Sequence, residues 1–223
     1  MMMPHQDPGR PPEGPELLVL ACRAQGIRDE RVLQAFGRIR RTDFVPPEWA
    51  GQAYRDRPIP IPHGQVTTQP SLVARMLASL GLRGEERVLE VGTGLGFQTA
   101  ILGALAAGVF SIERFPDLAS WAERNIRSAG IENVRISVGD GTLGLPAEAP
   151  FQAIVVSAAA PRVPEPLVEQ LADGGRIAHP VGLGGDEVVT TYRKQGPRLV
   201  PLTPVIPAHF VRLVGTHGLA EEP

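Results

Sequence analysis

The apolar run Val88-Leu89-Glu90-Val91 leads straight into Gly92-Thr93-Gly94-Leu95-Gly96, and a helical pattern starts near Phe97. A strand that feeds a glycine turn and then a helix commits the chain to an α/β arrangement, with the turn at the C-terminal edge of a sheet. Glycines there let the backbone come close to a ligand, and the free N–H groups of the next helix favour negative charge or lone pairs. A nucleotide-like ligand is expected. The dinucleotide fingerprint needs its third glycine at position 97, which is Phe97 here, and no G-x-x-x-x-G-K-[ST] phosphate loop occurs.

The chain around this turn alternates in kind. Strands are expected at 87–91, 109–113, 134–138, 151–157 and 176–179, with helices at 98–106, 117–129 and 165–171. Such alternation implies right-handed crossovers and a doubly wound, mostly parallel sheet covered on both faces. Two tail strands, 187–193 and 209–214, bring the count to seven and give an antiparallel C-terminal edge. Upstream, two short helices fall within 16–39, with Gly26 between them and Asp29 as N-cap of the second. Prolines at 46, 47, 58, 60 and 62 make 45–62 a connector. Ser71 is the expected cap of a helix carrying Val73, Met76, Leu77 and Leu80 that stops at Gly81. The division that results is a disordered leader (1–15), N-terminal helices with a substrate-side connector (16–70), a Rossmann-like ligand domain (71–195), and an edge strand with tail packed on it (196–223).

Composition narrows the functions open to such a sheet. Lys+Arg 22 against Asp+Glu 24 leaves a formal charge of −2, so neither nucleic acid nor an acidic membrane is an expected partner. Cys22 is the single cysteine, it lies on an apolar helix face, and no Cys/His cluster has metal-ligand spacing. No bound metal is expected. No apolar window approaches the roughly 20 residues of a membrane span. A cytoplasmic location suits these features best.

Two more acids fall where a ligand of this sheet would meet them. Glu113 ends the second strand, where a carboxylate can accept both ribose hydroxyls, and Asp140 follows the third in Gly139-Asp140-Gly141. With Glu90 they make three acids at the C-terminal ends of successive strands, the edge at which open α/β sheets bind ligands. A glycine turn with carboxylates and no phosphate loop suits S-adenosylmethionine (SAM) better than NAD or ATP. The expected cofactor set is Glu90, Gly92, Thr93, Gly94, Gly96, Gln98, Glu113, Asp140 and Gly141.

Further segments carry a resemblance. Asp43-Phe44-Val45-Pro46, Ala53-Tyr54-Arg55-Asp56-Arg57-Pro58-Ile59-Pro60-Ile61 and Gly64-Gln65-Val66-Thr67-Thr68-Gln69-Pro70 precede the glycine turn. Ser111-Ile112-Glu113-Arg114, Ala158-Ala159-Ala160-Pro161, residues 170–176 and Pro180-Val181-Gly182 follow it, with an echo at Phe210-Val211-Arg212-Leu213. Over roughly 25–215 the chain resembles the protein-L-isoaspartate O-methyltransferases. The resemblance implies a SAM-dependent enzyme that methylates the α-carboxylate of L-isoaspartyl residues in damaged proteins and peptides. The ester closes to a succinimide, whose hydrolysis returns some aspartate.

It also implies Thr68 as the active-site hydroxyl and an exchanged order of the last strands; the expected substrate side includes Gln65, Thr67, Ala159, Pro161, Phe210 and Val211, and a monomer is expected. Four positions depart from the family pattern: Val66 replaces a common hydroxyl, Thr67 takes a usually apolar place, Gln152 stands for Asp, and Arg212 for Pro. Two other functions keep the same cofactor: methylation of a different peptide or small-molecule carboxylate, and SAM binding without turnover. An ionised acceptor needs no strong base, and none of the five histidines is placed as one; His63 reads as an exposed loop residue.

Overall fold

The computed structural model describes residues 14–221. Most of the expected leader lies outside them, and Pro15 already opens the first helix, α1 (Pro15–Ala24). In α2 (Glu30–Arg38) the Asp29 carboxylate caps the N-terminus, accepting from Arg31 N at 3.0 Å and Val32 N at 3.2 Å. Two 3-10 turns (Arg41–Phe44 and Pro47–Gln52) lead to a small antiparallel hairpin of β1 (Ile59–Ile61) and β2 (Gln65–Thr67).

Helix α3 (Pro70–Leu80) is capped by Gln69 and starts two residues earlier than a Ser71 cap would give, because Pro70 suits the first helical position. Ser71 is therefore inside the helix. Its N–H donates at 2.8 Å to Asp56, a residue of the connector.

The main body follows as β3 (Arg87–Val91), α4 (Phe97–Leu105), β4 (Gly108–Glu113), α5 (Pro116–Ser128), β5 (Val134–Val138) and β6 (Phe151–Val156). Then come α6 (Glu165–Gln170), β7 (Leu171–Val181), β8 (Val188–Gln195) and β9 (Arg198–Pro207). The sheet has seven strands in the order β5-β4-β3-β6-β7-β8-β9. Strands β3 to β7 pair in parallel, whereas β8 and β9 add an antiparallel edge in chain order.

The outermost strand is not the one expected. Residues 198–207 form β9, while 209–214 contribute an isolated bridge between Ala159 and Arg212. Prolines such as Pro201 and Pro207 spoil the sequence signal for a strand, yet an edge strand can do without their N–H donors.

Alternate residues of the parallel strands enter different cores. Val88, Val109 and Val155 join the N-terminal helices on one side, and Leu89, Phe110 and Val156 join Leu167 of α6 on the other. Phe36 of α2 is fully buried and stands edge-on to Phe97, with ring centroids 5.7 Å apart. The N-terminal helices thus brace the first residue of α4, which follows the glycine turn directly.

Truncating Phe36 to Ala should cost about 3–5 kcal/mol of unfolding free energy, since it leaves a cavity against Phe97. Asp29→Ala should cost only about 1 kcal/mol, the usual loss for a cap. Urea denaturation of both variants checks the order of these losses.

Candidate active site

At the C-terminal ends of β3, β4 and β6 lies a cleft of about 900 Å³, measured out to its open mouth. The glycine turn forms its floor. Gly92 (φ 94°) and Gly94 (φ 56°) hold left-handed backbone that a side chain would strain, and both line the cleft. Glu113 is buried on the same wall, where its Oε2 accepts from Gly94 N at 2.9 Å and its Oε1 from Phe115 N at 3.1 Å. Thr93, Gln98 and Gly141 also line the cleft. A Cβ on Gly141 would come within 2.5 Å of Val91 Cγ1, so only glycine fits there without moving the wall.

Three residues expected to touch the cofactor are placed elsewhere. Glu90 has no solvent exposure and is not on the cleft wall. Its Oε2 accepts from Thr99 Oγ1 at 2.5 Å and Ser111 Oγ at 2.6 Å, and its Oε1 from Gln98 Nε2 at 3.0 Å. It braces the turn from beneath. Gly96 packs against α5, where an added Cβ would lie 3.4 Å from Ala122 and Ile126. Asp140 caps the short turn after β5 and ties down the tail, accepting from Thr142 N at 2.8 Å and Thr216 N at 2.7 Å. Burial alone would raise its pKa, but the hydrogen bonds from Thr142 and Thr216 outweigh that and bring it below the usual value.

On the other wall, Gln65, Val66, Thr67 and Thr68 all line the cleft. Their roles divide sharply. Thr67 Oγ1 is taken up by Arg41, which donates to it at 2.7 Å, and Val66 is 41% exposed. The Thr68 hydroxyl has no partner among the described residues. Of the remaining substrate-side residues, only Val211 lines the cleft. Ala159 is buried and holds the neighbouring tail in place, its N donating to Val211 O at 2.8 Å and its O accepting from Leu213 N at 2.7 Å. Phe210 packs on the core of the N-terminal helices, and Pro161 borders a separate cavity with Thr216 and His217.

Residues not singled out from the sequence complete the walls: Ser157, Phe115 and Leu95 line the cleft, and Arg41 lies behind it. Ser157 follows a buried strand, a position that the apolar pattern of 151–156 could have marked. His63, at the hairpin tip, stacks on Phe115 with centroids 4.2 Å apart and bonds Asp117 at 2.8 Å. That bond is the main reason the Asp117 carboxyl sits below its ordinary pKa. Of the departures from the resemblance, Gln152 lies at the far end of the sheet, its Oε1 accepting from Arg87 N at 2.9 Å. Arg212 lines the cleft.

A glycine turn and a buried carboxylate at the C-terminal edge of this sheet define a SAM-dependent methyltransferase of Rossmann-like type. The family model for protein-L-isoaspartate(D-aspartate) O-methyltransferase matches residues 15–218. The chain belongs to that family.

A Methanoculleus marisnigri protein-L-isoaspartate O-methyltransferase is 46% identical over 207 residues, 92% of this chain and 93% of its own. One from Aeropyrum pernix is 44% identical over 200 residues, 88% of this chain and 77% of its own. A solved protein-L-isoaspartate O-methyltransferase superposes with a TM-score of 0.81 at 29% identity, covering 92% of this chain and 67% of its own. A Plasmodium falciparum chain solved with S-adenosyl-L-homocysteine shares the fold, with a TM-score of 0.80 at 24% identity over 91% of this chain and 99% of its own.

Burial pushes the Glu90 carboxyl up to about 7, against the opposing pull of Ser111, Thr99 and Gln98. A carboxyl whose pKa is raised in the folded state contributes stability below its unfolded pKa and loses it as pH climbs through the folded value. Buried His179, lowered to about 3 by burial, works the other way and loses its contribution as pH falls below 6.5. Comparing E90Q with wild type cancels the histidine. E90Q should therefore gain on the order of 3 kcal/mol relative to wild type between pH 5 and pH 8. Parallel pH profiles of urea midpoints would show that Glu90 does not titrate in this window.

Proposed function

We propose that this chain transfers the methyl group of SAM to the α-carboxylate of L-isoaspartyl residues in proteins and peptides, the step that opens repair through a succinimide. What carries the proposal is the hydroxyl of Thr68, without a partner among the described residues, on the wall of the same cleft that holds Glu113 and the glycine turn.

The cleft suits SAM on its own chemistry. Gln98 is fixed through Nε2 by Glu90 and by Ser157 Oγ at 2.9 Å. Its Oε1 is buried with no donor among the described residues. That oxygen can accept from a ligand ammonium. Each Glu113 oxygen accepts one backbone N–H and keeps further acceptor capacity for a ribose hydroxyl. SAM, when bound, supplies an electrophilic sulfonium methyl.

The acceptor is ionised near neutral pH, so no general base is required of the protein. Orientation is the larger task, and in favourable systems it supplies roughly 7–11 kcal/mol. Thr68 donates to the acceptor carboxylate and so fixes one of its oxygens. Ile61, Leu95, Phe115 and Val211 line the cleft with apolar surface that excludes water. The chain works as a monomer in the cytosol. Cys22 is buried, with its thiol pushed up to about 12 by burial, and no described helix is long and apolar enough to cross a membrane.

Methylation of another peptide carboxylate is the second reading. The exposed Val66 favours it, since it stands where the resemblance implies a hydroxyl.

Two peptides differing only in an isoaspartyl or aspartyl linkage, incubated with methyl-labelled SAM, separate the readings. Label is expected on the isoaspartyl peptide alone, and label on neither would sink the proposal. Thr68→Ala should lower kcat about 10- to 100-fold, the worth of one hydrogen bond to a charged group, with SAM affinity within about two-fold of wild type. Equal losses in both would remove Thr68 from its role.

A further inference from the structure

We propose that Arg41 is the positioning residue and fixed counter-charge of the acceptor side: a buried guanidinium behind Thr67 and Thr68 that makes the cleft prefer an anionic acceptor over a neutral one. The inference rests on the acceptor reading of the Thr68 wall.

Arg41 has no solvent exposure. Its Nη1 donates to Ala53 O and Arg55 O, each at 3.1 Å. Its Nη2 donates to Arg57 O at 3.1 Å, Thr67 Oγ1 at 2.7 Å and Thr68 O at 3.2 Å. All five acceptors are uncharged, and Nε has no partner among the described residues. The guanidinium carbon lies 5.5 Å from the centroid of Phe97, itself a cleft residue.

A buried cation is normally paired with a buried anion, because desolvation is otherwise left without compensation. Here the carboxylate that acts on Arg41 is Asp56, and its oxygens are committed to Gln69 Nε2 at 3.0 Å and Ser71 N at 2.8 Å. Burial lowers the Arg41 pKa to about 10, against the pull of Asp56, which leaves the group charged at neutral pH. Charge is felt strongly where water is excluded. Since Thr67 and Thr68 both bond Arg41 and line the cleft, one residue's thickness separates the cation from an acceptor bound at Thr68. A carboxylate entering there meets a positive potential already in place, whereas a neutral group of the same shape gains nothing from it. The planar fork serves five acceptors from two stretches of chain at once, more than the three N–H donors of a lysine could supply.

The test uses the full chain and two peptides: an isoaspartyl substrate, and its isoasparaginyl analogue, in which the α-carboxylate is an uncharged amide. The quantity read is the ratio of the amide's competitive Ki to the KM of the acid, with the Kd of SAM measured beside it. Arg41→Met should lower the ratio at least ten-fold while SAM affinity stays within two-fold. Asp56→Asn should raise it at least two-fold, because it withdraws the negative charge acting on Arg41 while an amide oxygen still accepts from Ser71.

A merely structural role would weaken acid and amide alike in R41M and leave the ratio of D56N unchanged, and either result overturns the inference. Should R41M not fold, D56N decides alone. A wild type that methylates no isoaspartyl peptide removes the acceptor reading itself. A wild type that does so, with ratios that do not move, removes only the role of Arg41.

Discussion

Beneath the glycine turn sits a carboxylate with no water to solvate it, and the shape of the cofactor wall follows from how that problem is solved. Glu90 takes its donors from Gln98 and Thr99 of α4 and from Ser111 of β4, so a single side chain ties two strands to the helix that follows the turn. Ser111 is in turn 2.6 Å from Thr93 Oγ1, which extends the tie into the turn itself. An unpaired buried carboxylate would be very costly, so the three donors cannot drift apart without exposing that cost. The backbone of Gly94, whose N–H is given to Glu113, and the side chain of Gln98 are thereby held on the cleft wall.

The acceptor wall is built on a different principle. Prolines at 58, 60 and 62 remove backbone donors, and the connector forms only a three-residue strand on each side of its hairpin. Of the carbonyls of 53, 55, 57 and 68, that of 55 accepts from the backbone N–H of Arg57 at 2.9 Å, and the others need partners from elsewhere. Arg41 gathers all four, together with the Thr67 hydroxyl. A guanidinium thus takes the place of a sheet ladder, and the exchange of hydroxyl and apolar residue at 66 and 67 acquires a reason. The hydroxyl at 67 reaches the buried cation, while the apolar side chain at 66 is turned outward.

How much of this the sequence showed depends on how local the cause is. The glycine turn, Glu113 and the alternation of strand and helix are written within a few residues, and all were legible. Glu90 and Asp140 were assigned to the ligand because position at a strand end names the edge of the sheet but not the face of a side chain. Glu90 points into the body and Asp140 toward the tail. Strand β9 was hidden by its prolines, which signal a loop unless the strand is known to be outermost. Arg41 was invisible for a deeper reason. Its acceptors lie 12 to 27 residues away and are mostly backbone carbonyls, which no residue pattern records. Thr68 was named through the resemblance, and its distinction from Thr67 needed the geometry.

The two walls also differ in how they can yield. The cofactor side is continuous with the parallel sheet, so displacing it would disturb the strand pairing of β3 with β4 and β6. The hairpin is anchored at its root by the buried Arg41, but at its tip by the exposed His63–Asp117 pair and by the stacking of His63 on Phe115. Exposed ion pairs contribute little, and salt weakens them further. Displacing the hairpin therefore costs least at the tip, beside the cleft residue Phe115, and most at Thr68. One short hairpin is thus held tightly beside Thr68, through Arg41, and loosely at its tip, through His63.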